Sequence, residues 1–275
     1  MHDPIVTDSV TTLGPDPRGC AALAASHGGL YAAYLAAKAE LKAVILSDAG
    51  VGRERAGIAG LDLLENLGMP AATIGHRSAR IGDGKDSLAR GVISFVNGRA
   101  HALGVKAGMT AQAALDILAG ADIAPPRAPT PMHETRHDIA KASAPQVNVV
   151  TLDSNALVTP QDAGHIIVTG SHGGLLGGRP QTAVKYDVFA ALYNDADIGI
   201  DGAGISRLPA LDARGIAGAT ISAWSARIGD GQSTYNDGFV SALNARAVRC
   251  GGEIGISAKE LVGRLVAARV KELKA

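Results

Sequence analysis

Two short strings, each present twice, hold the side chains best suited to chemistry. Ser26-His27-Gly28-Gly29-Leu30 recurs as Ser171-His172-Gly173-Gly174-Leu175. Ser78-Ala79-Arg80-Ile81-Gly82-Asp83-Gly84 recurs unchanged as Ser225-Ala226-Arg227-Ile228-Gly229-Asp230-Gly231. An imidazole titrates near neutral pH and can act as a general base, and a neighbouring serine can serve as nucleophile or hydrogen-bond donor. Paired glycines let backbone approach a ligand, and the first N–H groups of a helix favour an anion. The catalytic candidates from this string are therefore Ser26, His27, Ser171 and His172, with Gly28, Gly29, Gly173 and Gly174 as substrate-binding backbone. The competing role is plain: the glycines make a strand-to-helix turn and the serine caps it.

In the second string an arginine can clamp a carboxylate or phosphate with two parallel hydrogen bonds, so Arg80 and Arg227 are substrate-binding candidates. Asp83 and Asp230 sit between glycines and join them; their alternative is an internal salt bridge or Asx-turn. Asp48 and Asp195 end predicted strands, where a carboxylate can orient a histidine or act as base. Asp8-Ser9 and Asp153-Ser154 also correspond and are candidates to join them from the first strand, with simple turn formation the favoured role.

One further string, His133-Glu134-Thr135-Arg136-His137, carries histidines at i and i+4. On a helix such a pair shares a face and can hold zinc with the glutamate as base. Its setting argues against that: it follows the proline-rich Ala124–Pro131, charged residues surround it, and no apolar helix carries it. No metal is expected, with His133, Glu134 and His137 kept as the alternative. The Gly-x-Gly-x-x-Gly spacing of dinucleotide folds is missing from the glycine turns, so no cofactor is expected.

The elements that must position these residues follow from the repetition. Corresponding motifs are offset by 145 before the first helix and by 147 after it, so one two-residue insertion aligns the copies. Residues 1–118 form a first unit, 119–146 a proline-rich linker and 147–275 a second unit. Strands are predicted at Ile5–Thr7, Cys20–Ala25, Ala43–Leu46 and Ala71–Ile74, with partners at Val147–Thr151, His165–Thr169, Phe189–Tyr193 and Ala219–Ile221. Helices are predicted over Leu30–Glu40 and 56–67. A last helix is read from Leu88, Val92, Val96 and Leu103, matched by Phe239, Leu243 and Ala247. The fold class is α/β: a tandem duplication of a Rossmann-like βαβαβ unit with mostly parallel sheets, arranged as a pseudo-twofold dimer within one chain. One continuous sheet is the alternative. In such sheets ligands bind beyond the carboxyl ends of the strands, where all the repeated motifs fall.

Composition narrows the function. The 26 basic and 26 acidic residues cancel, and aromatics are only 3%, so nothing marks a nucleic-acid binder. No apolar run is long enough to span a bilayer, and Met1-His2-Asp3-Pro4 does not open a signal peptide. Two cysteines, Cys20 and Cys250, build no disulfide framework. The expectation is a cytoplasmic, metal-independent hydrolase acting on an amide, cyclic amide or ester of a small anionic substrate, either monomeric or a homo-oligomer. A lyase or isomerase using the same acid–base groups is one alternative. A non-catalytic binding protein for a phosphate- or carboxylate-bearing metabolite is another, and a zinc hydrolase the last.

Overall fold

The computed structural model describes residues 3–141 and 147–274. The last five residues of the expected linker, 142–146, lie outside the described residues. The architecture is α/β, with two mostly parallel sheets of five and six strands. In the first, β1 (Ile5–Thr7), β2 (Ala21–His27), β3 (Ala43–Ser47) and β4 (Ala71–Ile74) run parallel, and β5 (Ile93–Val96) pairs antiparallel with β4. The second contains β6 (Arg136–Lys141), β7 (Asn148–Leu152), β8 (Ile166–His172), β9 (Ala190–Asn194), β10 (Ala217–Ile221) and β11 (Val240–Leu243). Strands β7 to β11 lie in the same spatial order as β1 to β5, and β6 is added antiparallel on the edge beside β7.

Both faces of each sheet are buried, which explains the apolar runs. Along β2 and β3, alternate side chains point to opposite faces. Ala22, Val44 and Leu46 pack with Leu64 against α1 (Leu30–Lys38) and α2 (Gly60–Leu67). Leu23 and Ile45 pack on the other side with Leu115 and Leu118. Those leucines belong to α5 (Ala111–Gly120), which follows α3 (Gly84–Arg90) and α4 (Gly98–Ala102). In the second sheet, Ile166, Val168 and Leu192 meet Leu261 and Leu265 of the long helix α9 (Ala258–Lys274). Ile167 and Tyr193 meet Leu211 of α6 (Arg207–Ala213) on the opposite face, while α7 (Gly231–Asp237) and α8 (Ala245–Arg249) complete the unit. Among the described residues no helix is long and apolar enough to cross a membrane.

Three expectations need correction. The predicted last helix breaks in both units. Gly91 ends α3 after Arg90, and Ile93-Ser94-Phe95-Val96 becomes strand β5; Gly238 does the same before β11. Apolar residues four apart fit a helix, but a glycine followed by β-branched and aromatic residues fits a strand better. The expected linker contains β6, which starts at Arg136. Finally, Ser-His-Gly-Gly opens a helix once only. After β8 the chain makes the 3-10 turns Leu176–Gly178 and Pro180–Thr182, since Gly177, Gly178 and Pro180 are poor helix formers.

The sheets meet through the loops after β3 and β9. These loops run left-handed: Ala49, Val51, Glu54 and Arg55 have positive φ, as do Ala196, Asp197, Ile198 and Asp201. Each such non-glycine residue costs on the order of 1 kcal/mol, so the surroundings must hold it. Ala49 and Ile81 of the first unit pack on Ala196, Ala203 and Ile228 of the second. Backbone bonds reinforce the seam reciprocally: Arg53 N–H donates to Ala223 O (2.7 Å), and Ile200 N–H donates to His76 O (2.9 Å).

Candidate functional site

The carboxyl ends of β2 and β8 bring both Ser-His pairs to one place. Ser26, His27, Ser171 and His172 line a pocket of about 90 Å³ between the units. It adjoins a larger cleft of about 580 Å³, with which it shares His27, Tyr31, Glu134, Asp153 and Gly229. The cleft's other walls carry Glu54, Arg227 and Asp230.

Each histidine is set by its own turn. Gly29 N–H donates to His27 Nδ1 (3.2 Å), and Gly174 N–H donates to His172 Nδ1 (3.2 Å). A ring whose Nδ1 accepts must carry its proton on Nε2 when neutral. Burial lowers the His27 pKa to about 4. Burial also drives His172 well below the usual range, helped by Arg207 and by His27 itself. Both rings are therefore neutral Nε2–H donors at pH 7. Among the described residues neither bonds to a serine hydroxyl or a carboxylate, so the Ser–His and His–Asp couples expected from the sequence do not form.

The serines and aspartates hold loops instead. Val10 N–H donates to Ser26 Oγ (3.0 Å), and Asn155 N–H donates to Ser171 Oγ (2.8 Å). Asp48 Oδ1 accepts from Gly50 N–H and His76 N–H (3.0 and 2.9 Å), and Asp195 Oδ1 from Asp197 N–H and Ala223 N–H (2.9 and 2.8 Å). Both carboxylates are buried and lie outside the cleft. Gly28 and Gly173 are there for packing: a Cβ would sit 2.7 Å from Gly57 O and 2.2 Å from Gly204 O respectively. Asp83 and Asp230 cap α3 and α7, accepting from Asp86 N–H (3.0 Å) and Ser233 N–H (2.8 Å).

The arginines cross between units. Arg80 lies on the surface against Asp201 (2.9 Å). Arg227 lines the cleft, donating through Nε and Nη2 to Asp230 (3.1 and 2.9 Å) and through Nη1 to Glu54 (3.1 Å). The two sides then diverge. Beside His172, residues 175–179 occupy the place corresponding to the cleft: Gly177 N–H donates to Gly82 O (2.7 Å), and Arg179 pairs with Asp8 (3.1 Å). Beside His27 that space is open.

The linker supplies one wall. Its His133-to-His137 string is not helical, and Arg136 and His137 already belong to β6. Without a helix the two histidines lack the common face that an i, i+4 pair needs to hold zinc. Among the described residues no three His, Cys, Asp or Glu side chains are grouped to hold a metal. Thr135 donates through N–H and Oγ1 to Asp153 Oδ2 (both 2.7 Å) and so fixes the segment. That turns Glu134 into the cleft. Burial raises its carboxyl pKa, opposed by a hydrogen bond from Ser154 and aided by Asp153.

Two site features escaped the sequence. Glu134 was visible only as part of a helical metal string. His76 differs between copies, with Ala223 at its counterpart, so repetition hid it. Its Nδ1 meets Asp48 Oδ1 and its Nε2 meets Asp197 Oδ2, each at 3.0 Å, joining the units outside the cleft. No protein-family model, curated protein or solved structure matches the chain.

Proposed function

We propose that this chain is a hydrolase of small amides, cyclic amides or esters, working in the cleft between two copies of one Rossmann-like unit related by a pseudo-twofold axis. The observation that carries the reading is the convergence of a neutral Nε2–H donor, His27, and a half-buried carboxyl of raised pKa, Glu134, on one cavity. Equal strand order and reciprocal loop contacts support the duplication. Buried, unpaired cysteines support a cytoplasmic setting.

In this mechanism Glu134 takes a proton from a water molecule whose oxygen attacks the carbonyl carbon. The carbonyl π electrons move to oxygen, and His27 Nε2–H receives the developing oxyanion. The C–N or C–O bond then breaks, and Glu134 returns the proton to the leaving atom. A serine nucleophile is not required, since Ser26 and Ser171 are occupied by backbone N–H groups.

The test is a panel of small amides, lactams, imides and esters. Glu134→Gln and His27→Gln should each cut turnover by roughly 10²–10⁴-fold with circular dichroism unchanged. Ser26→Ala should stay within about tenfold of wild type on the same mechanism. Full activity in Glu134→Gln, or loss confined to Ser26→Ala, would defeat the proposal.

A further inference from the structure

Resting on the cleft as the binding site, the charges on its walls indicate what it takes. Glu54, Asp153 and Asp230 line the cleft together with the guanidinium of Arg227, and Arg53 also pairs with Glu54 (3.3 Å). The Arg227 fork is already committed, to Asp230 through Nε and Nη2 and to Glu54 through Nη1. Even with Glu134 protonated, three carboxylates stand against the two guanidiniums of Arg227 and Arg53. An anion would have to enter that field and displace a carboxylate from Arg227. A cleft lined by one sign of charge between low-dielectric walls concentrates the opposite charge. Leu30, Ala59, Met132 and Ile228 add apolar wall beside the polar Tyr31, His133 and Gln232, and the volume of about 580 Å³ holds a small ring.

We infer that the cleft takes a cationic nitrogen compound, an amine- or amidine-bearing amide, with its charge against the Glu54–Asp230–Asp153 wall and its carbonyl toward His27. The anionic substrate expected from the arginine and glycine motifs does not suit this wall.

Benzamidine, benzamide and benzoate share one shape and differ in charge. Each is titrated into the full chain at pH 8 and low salt, following backbone amide NMR signals of Tyr31 and Gly229. Benzamidine should bind about tenfold or more tighter than benzoate, with benzamide between, and added salt should shrink the gap. Glu54→Gln should narrow it further. Tighter binding of benzoate overturns the charge inference and leaves the cleft standing as a binding site. Failure of all three to move these signals removes both.

Discussion

A histidine is defined by what its two nitrogens already hold. His27 and His172 accept a backbone N–H at Nδ1 and sit where burial disfavours charge, so they offer a proton without taking one. His76 is the opposite case. Its pKa is raised, first by the hydrogen bond to Asp48, against the effect of burial, and further by the charges of Asp48 and Asp197; Arg77 opposes. A raised folded-state value means the bridge stabilises fully below the ordinary histidine range near 6.5, and that its contribution fades as pH rises through the folded value. His76→Gln should therefore lose about 2 kcal/mol at pH 6, measured by urea unfolding, and distinctly less at pH 9. A deficit that grows with pH would show that the ring is held neutral. None of this could be read from residue type, because the imidazoles look alike until their partners are known.

At the scale of elements, the sequence was legible where hydrophobic period and chain breaks agreed. Ala71–Ile74 and the start of α1 at Leu30 stand where expected. It misled where one pattern served two structures: Leu88, Val92 and Val96 keep helical spacing, yet Gly91 ends the helix and tertiary pairing with β4 makes a strand. Strand β6 was hidden because Arg136-His137-Asp138 is polar, as an exposed edge strand can be. The repeated glycines looked catalytic and are in part spatial. At Gly173 a Cβ would lie 2.2 Å from Gly204 O and 2.9 Å from Thr220 Cγ2. Gly173→Ala should cost about 2 kcal/mol or more, since the obstacle is backbone and cannot turn away. Gly263, inside α9 with open space around it, is the control. Gly263→Ala should stabilise by about 0.5–1 kcal/mol in the same thermal melts. Equal effects at the two positions would mean that the close approach of β8 to the Gly204 loop does not constrain the fold.

At the scale of the whole molecule, the repeat pointed to mostly parallel sheets, of which there are two, while the carboxyl-end rule left open whether the Ser-His loops line one shared cleft or two. It could not foretell the asymmetry. That depends on residues 175–179 filling one side, and on the Pro-rich segment delivering Glu134 to the other. Both come from the stretches where the copies differ. Asp48 and Asp195 also follow strands, yet a buried carboxylate satisfied by two backbone N–H groups serves the loop seam better than a cleft. The central claim is that the two units present a pair of neutral imidazoles, protonated at Nε2, to one shared pocket. Side-chain 15N NMR of the histidines from pH 8 down to pH 5 tests it without any substrate. His27 and His172 should show protonated Nε2 and unprotonated Nδ1 throughout, with no titration near 6.5. Protonation of either ring at Nδ1, or a midpoint near 6.5 for either, would contradict the account.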